Sequence, residues 1–421
     1  MARVAIIGSG IAGLGAAWLL ADRHQITLFE SEHRAGGHSH TVVHEGRPVD
    51  TGFIVLNDRN YARFQAFLAA LEVPTQASDM SFGVSIGDGA IEWAGDNLAT
   101  MFAQRKLAAS AAHWRMLVDI LRFNRQAKAL LVAGVASRES LGAFLDHHQY
   151  SEAFRARYLL PMAAAIWSVP TRIMLDFPLA PFLHFLNNHG LLNLSDRPQW
   201  RTITGGCDRY VQAVVGLLGD RLRLGCPVAR AQRTADAVKL RLASGESADF
   251  DQVVFACHAD TALSLLADPD AREKNLLGAF RFQRNRAVLH SDPKLMPKRR
   301  SLWSSWNYLA DRAEVSAQRV SVSYWMNRLQ GIDGPRDYFV SLNPLADPDP
   351  RQLIREIDYD HPVFDARAID AQAALGSIQG SRRSWFCGAW CGYGFHEDGL
   401  AAAERVAKGL GVTAPWSAGS G

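Results

Sequence analysis

The first thirty residues switch between two hydrophobic periods. Val4, Ala5, Ile6 and Ile7 form an unbroken apolar run of strand length, which predicts a short buried strand. It runs into Gly8, Ser9, Gly10, Ile11, Ala12 and Gly13, and positions 14–22 then read as a helix. A second strand is predicted over 26–29, ending at Glu30 and Ser31. Farther on, positions 82–86 and 90–93 flank Gly87, Asp88 and Gly89, a hairpin signal. Long helical patterns cover 98–131 and 141–166, and strands are predicted over 238–242 and 253–257. Positions 286–290, 301–308, 320–326 and 338–342 alternate like a half-buried antiparallel sheet. Only the residues after Pro415 read as frayed.

The order strand, glycine turn, helix, strand and acid predicts a dinucleotide site. Gly8 permits the tight turn, Gly10 lets the backbone approach a pyrophosphate, and Gly13 lets helix and strand pack closely. The helix N-terminus at Ile11 and Ala12 offers free N–H groups and a positive dipole. Glu30, 22 residues after Gly8, can accept hydrogen bonds from adenosine ribose hydroxyls, which disfavours a 2′-phosphate.

Composition narrows the class. With 421 residues, 48% hydrophobic and 21% charged, the chain is long enough for two intertwined globular domains. A formal charge of +3 argues against nucleic acid as partner. Lys294, Lys298, Arg299 and Arg300 cluster, either as a solvated loop or as a contact for anionic lipid headgroups. Cys207, Cys226, Cys257, Cys387 and Cys391 form no CxxC pair and no zinc spacing, so no metal site and a reducing, cytoplasmic setting are expected. Cys387 and Cys391 are either a redox pair or small residues packed beside a glycine-rich loop. The apolar run over 4–21 holds Gly8, Gly10, Gly13 and Gly15 and lacks a basic n-region beyond Arg3, so a soluble or at most peripheral protein is expected.

Three spaced motifs carry a family resemblance. Arg34, Ala35, Gly36, Gly37, His38, Ser39, His40 and Thr41 resemble the RxGGRxxT signature of the GG-doublet flavoproteins, among them monoamine oxidases and phytoene desaturases. Asp50, Thr51, Gly52 and Phe53 match the family's D-x-G segment, and Trp385 through Gly388 and Ala389 its C-terminal signature. The resemblance implies FAD as cofactor, with Arg34 and the glycine doublet near the phosphates. Thr51, Gly52, Gly388 and the helix start at His396 and Glu397 would lie toward the isoalloxazine. Val228, opening the middle segment's strands, is a further expected FAD contact. His38 stands where the family usually has a second arginine, and Phe395 where amine oxidases have a tyrosine. The implied fold is α/β: a GG-doublet FAD-binding Rossmann-type domain from residues 1–75, 201–268 and 372–421, with an inserted α+β substrate domain from 76–200 and 269–371.

The resemblance narrows over phrases such as GGHSHTV, LLPMAAAIWS and CGYGFHEDGL. These look like a bacterial flavoprotein group similar to the oxidase-like N-terminal domain of plant cyclopropane fatty-acid synthases. Bacterial members commonly accompany cyclopropane-synthase-like methyltransferases, which implies acyl-lipid chemistry and a lipid methyltransferase as partner.

The substrate side reads as apolar. Positions 158–167 are apolar all round, which fits either a core helix or one wall of an acyl tunnel. Trp303, Trp306, Tyr308, Tyr324, Trp325 and Met326 form the expected opposing wall. His38, His40, His396 and Tyr393 are the candidate acid–base groups, each also open to a structural role. The expected function is FAD-dependent oxidation or desaturation of an acyl chain. Amine oxidation, fatty-acid isomerisation and a flavin-binding accessory role remain open beside it.

Overall fold

A computed structural model describes residues 1–134, 139–167, 171–193, 198–312 and 319–417. The predicted first strand, Arg3–Ile7, lies at the centre of a five-stranded parallel sheet. Its neighbours are Gln25–Phe29 and Gln252–Phe255, with Leu222–Arg223 and Ser384–Phe386 at the edges. Three stretches far apart in sequence thus build one sheet, whose central strands read as apolar runs because both faces are covered, one by helices and the other largely by the three-stranded antiparallel sheet Val228–Arg233, Val238–Leu242 and Ser247–Phe250. The helix Ile11–Leu20 is buried along almost its whole length between this sheet and the C-terminal helix His396–Gly409. That enclosure explains why residues 4–21 look like a membrane segment: the run is a strand plus a core helix. No helix among the described residues is long and apolar enough to cross a membrane.

A second sheet of seven strands joins the two inserted stretches. Its order is Leu353–Val363, Arg281–His290, Phe339–Leu342, Val320–Trp325, Trp306–Ala310, Phe82–Ile86 and Ile91–Ala94. The 82–94 hairpin forms as expected, with Gly87, Asp88 and Gly89 all at positive φ. Its parallel pairing with Trp306–Ala310 has no local signal. The strand over 301–308 begins later than expected because Arg300–Leu302 forms a 3-10 turn.

Both long helical patterns are interrupted. The first divides into Leu98–Met101, Arg105–Ala108 and Ala111–Val132, the last restarted by the Ser110 side chain, which accepts from the His113 N–H. The second divides into Leu141–His147, Glu152–Phe154, a π turn Arg155–Leu159 and Leu160–Trp167. Pro161 lacks the N–H that a regular helix needs there, and the widened turn accommodates it. Near the C-terminus, Trp416 stacks on Trp18 with ring centroids 5.8 Å apart, so this part of the expected frayed tail is docked. Residues 418–421 lie outside the described residues.

Candidate active site

The nucleotide end is built by glycines. Gly8 turns at φ +100° and donates its N–H to the Phe29 carbonyl at 2.8 Å, closing the first strand onto the second. A Cβ on Gly13 would lie 1.8 Å from the Gly8 carbonyl oxygen, so helix and turn touch through backbone. Gly10, by contrast, has nothing within 4 Å of where its Cβ would sit. The doublet folds back onto this turn: Gly36 donates to the Ser9 carbonyl at 3.0 Å, and a Cβ on Gly37 would come within 3.2 Å of the Gly10 Cα. Glu30 closes the cradle, one oxygen accepting from the Ser9 N–H (2.8 Å) and hydroxyl (2.6 Å), the other from Ser31 and the Glu32 N–H. A ribose hydroxyl can reach this carboxylate by displacing one of the two serine hydroxyls.

His38 follows the doublet and lines the same cavity. Its Nε2 is buried without a hydrogen-bond partner. The ring stacks on Tyr359 at 4.8 Å and lies 5.2 Å from His361 and 6.4 Å from His258, both also lining the cavity. Burial, followed by repulsion from His361, His258, His396 and Arg34, holds the His38 pKa well below the ordinary imidazole value. Burial likewise brings His361 down to about 4 and lowers His258. A buried ring nitrogen without a partner beside an open glycine cradle and a helix N-terminus is the environment a diphosphate would complete. The residues present therefore fit FAD.

From the cradle one continuous cavity of about 570 Å³ extends toward the seven-stranded sheet. The expected residues Gly8, Gly10, Ile11, Ala12, Glu30, Ser31, Gly36, Gly37, Thr51, Gly52, Val228, Gly388, Tyr393 and His396 line it together with His38. Four expected site residues lie elsewhere. Gly13 is a packing residue. The Arg34 guanidinium is engaged by loop carbonyls, donating to Gly37 at 2.6 Å and Ser39 at 3.3 Å, so it supports the doublet instead of facing the cavity. His40 is turned toward the Tyr359 hydroxyl at 3.4 Å. Glu397 accepts from the N–H groups of Arg63 (3.1 Å) and Phe64 (2.9 Å), capping the helix Ala62–Ala70.

His396 reaches the cavity wall but is held in place. Its Nε2 contacts the Ser39 hydroxyl (2.8 Å) and the Tyr210 hydroxyl (3.3 Å), the ring stacks on Phe53, and burial pulls its pKa down to about 3. It is poorly placed to exchange a proton with substrate. Burial, reinforced by Asp398, raises the Tyr393 phenol.

The far end of the cavity is aromatic and aliphatic. Met162, Ile166 and Trp167 line it from the apolar helix, and Trp306 and Tyr324 from the sheet. Leu159 and Ala164 point into the helical core. Trp325, next to Tyr324 in its strand, faces the opposite side, Tyr308 shares the Trp306 face but packs under the helical core, and Trp303 and Met326 lie outside the strands and off the wall. Phe185 and His189 gather on Phe395, the residue in the amine-oxidase tyrosine position: Phe185 stacks on His189 at 3.9 Å and on Phe395 at 5.2 Å. His189 Nδ1 donates to the Phe185 carbonyl at 2.9 Å. This bond fixes the tautomer and leaves Nε2 as the accepting nitrogen of a cavity-lining ring. Burial lowers its pKa to about 4.

The profile of the flavin-containing amine oxidoreductases matches residues 11–286. The chain belongs to this family. Over 401 residues, 90% of this chain and 79% of the other, it is 24% identical to AofH of Mycobacterium tuberculosis, described as a flavin-containing monoamine oxidase. A putrescine oxidase variant shares the fold at TM-score 0.69 with 15% identity, covering 97% of this chain and 98% of that one. A CLA-producing fatty acid isomerase from P. acnes does so at TM-score 0.70 with 15% identity, covering 98% and 99%. Cyclohexylamine oxidase from Brevibacterium oxydans aligns at TM-score 0.69 with 14% identity, covering 97% and 99%. The protein is thus an FAD-dependent, amine-oxidase-like oxidoreductase. Of the histidines missed in the sequence, His258 alone had a usable position, just past the C-terminal end of the parallel strand Gln252–Phe255, where α/β folds bind ligands. His189 and His361 reach the cavity only through tertiary packing.

Proposed function

We propose that this family member oxidises or desaturates a fatty acyl chain held in the apolar end of the cavity. The observation that carries the reading is the composition of that wall. Among the described lining residues the carboxylates are Glu30, bound to Ser9, and Asp360, which faces Arg284 at 3.6 Å. A chain of CH₂ groups gains about 0.8 kcal/mol per group from such a wall, whereas an ammonium group needs a polar partner. Bound FAD supplies a two-electron acceptor that takes hydride at N5. The protein's own part is to exclude water with Phe185, Trp167 and Phe395, to orient the chain between Ile166 and Tyr324, and to accept the accompanying proton. Neutral His189, with Nε2 free of the helix carbonyl, is the group we assign to that proton. The assigned site residues are then Gly8, Gly10, Glu30, Gly36, Gly37 and His38 for FAD, and His189 for catalysis. The resemblance to cyclopropane fatty-acid synthase domains supports a lipid methyltransferase as partner.

Amine oxidation is the second reading, favoured by the names of AofH and of the oxidases that share the fold. Anaerobic mixing of the holoprotein with unsaturated acyl chains and, separately, with primary amines distinguishes the two through flavin bleaching near roughly 450 nm. Reduction by acyl chains is expected; reduction by amines alone would overturn the acyl reading.

A further inference from the structure

Three of the four cations of the cluster over 294–300 are ion-paired. Lys298 pairs with Asp88 (2.7 Å), Arg299 with Glu92 (2.6 Å), and Arg300 with Asp337 (3.0 Å) while lying over the Trp303 ring. A second group of cations, without an ion pair among the described residues, lies on another surface. The helix Ala111–Val132 is anchored through one face, where Met116, Ile120, Phe123 and Ala127 enter the helical core. Its outer face carries Trp114, Val118, Leu121 and Val132, each more than half exposed. These are four of the ten exposed large apolar side chains among the described residues; a fifth, Leu98, begins the short helix just before Phe102, which packs on Trp114 at 5.0 Å.

Trp114 is held in this exposed position with its polar atom satisfied. Its Nε1 donates to the Ala108 carbonyl at 2.9 Å, so the indole presents apolar surface. The helix's one acid, Asp119, is buried and shared by Arg115 and Arg122, which leaves the outer face without negative charge. Arg125 and Lys128 share that face with the apolar stripe, and Arg105 and Lys106 are exposed on the preceding turn. A helix of 22 residues spans about 33 Å, long enough to lie along a surface.

We propose that this face docks the protein on an anionic phospholipid surface. Apolar side chains flanked by unpaired cations, with an exposed tryptophan, are the pattern of a helix lying in the headgroup region. A second copy of the chain fits poorly, because two-fold pairing through this face would bury Arg125 and Lys128 against a helix whose one acid, Asp119, is already buried and shared. Docking is independent of the substrate reading, although it would bring the protein to a source of acyl chains.

Flotation of the yellow holoprotein with vesicles tests this. The protein should float with phosphatidylcholine vesicles containing phosphatidylglycerol and remain behind with phosphatidylcholine alone. Binding should fall at about 1 M salt, where charges are screened beyond about 3 Å. Trp114→Ser with Leu121→Ser, and separately Arg125→Glu with Lys128→Glu, should each lower the bound fraction at least tenfold while flavin absorbance stays unchanged. In the native protein, brominated lipid should quench tryptophan emission, and Trp114→Phe should remove that quenching. Absence of flotation with anionic vesicles, flotation indifferent to both pairs of substitutions, or a dimer dissolved by Trp114→Ser would overturn the proposal.

Discussion

Gly10 and Gly13 belong to one fingerprint, yet the structure predicts opposite consequences for adding a methyl group. At Gly13 the new Cβ would lie 1.8 Å from the Gly8 carbonyl oxygen. Relief to an ordinary contact of 3.4 Å requires helix and turn to separate by roughly 1.6 Å, backbone against backbone, a typical overpacking cost of about 3 kcal/mol. At Gly10 the backbone is extended (φ −64°, ψ −179°) and the Cβ meets nothing within 4 Å, so Gly10→Ala should leave unfolding unchanged to within about 0.5 kcal/mol. The space that methyl group enters is the expected diphosphate position. Pushing the phosphates off even one or two charge-assisted hydrogen bonds costs about 3 kcal/mol, or roughly a hundredfold in FAD affinity. Urea unfolding of the FAD-free proteins measures the first quantity, and flavin fluorescence titration the second. A Gly13→Ala protein as stable as the native chain, or a Gly10→Ala protein with native FAD affinity, would refute the assignment of packing to one glycine and cofactor approach to the other.

Three further outcomes follow from the site and its supports. His38, neutral when free of ligand, should gain a proton against a diphosphate, so FAD affinity should rise up to tenfold per unit as pH falls from about 8 to 6; His38→Arg should flatten this dependence, as fluorescence titration at each pH would reveal. Glu397→Ala should remove the cap from Ala62–Ala70 and lower unfolding free energy by about 1–2 kcal/mol without altering the flavin spectrum, since Glu397 is off the cavity wall. His290 is buried, contacts Ser341 through Nε2 (2.8 Å), and is held near a pKa of about 4 by burial. Its folded value is below the unfolded one, so its stabilisation is present above about pH 6.5 and drains as pH falls toward 4. The expected loss is about 2 kcal/mol between pH 7 and 5, and His290→Gln should show a correspondingly shallower change in urea midpoint.

Much of the cofactor end was legible because its residues act locally. Gly8, Gly36 and Gly37 are constrained by positive-φ turns and close backbone approach within a few dozen residues, and those demands exclude other amino acids, while Gly10 is set apart by the cofactor space it faces. The same logic misled at Arg34 and Glu397. Spacing places a charged residue near a motif but does not tell whether it meets a ligand or the protein's own carbonyl and N–H groups. At the substrate end, the apolar run over 158–167 was visible, but the side chains that reach the cavity depend on a π turn before Pro161 and on the helix's rotation against the sheet. Hence Ile166 lines the wall while Ala164 lies in the core.

The sequence by itself determined the nucleotide cradle, the family and the apolar character of the substrate side, because each is carried by short-range pattern. Tertiary structure alone decided the parallel pairing of Trp306–Ala310 with Phe82–Ile86, the meeting of His38, His258 and His361, and the placing of His189 against Phe395. It also decided that Arg125 and Lys128 share the outer face of the helix Ala111–Val132 with apolar side chains, while Lys298, Arg299 and Arg300 are ion-paired. Such contacts join residues tens to hundreds of positions apart, and their energy comes from burial and charge pairing in space, for which no local period in the chain is a sign.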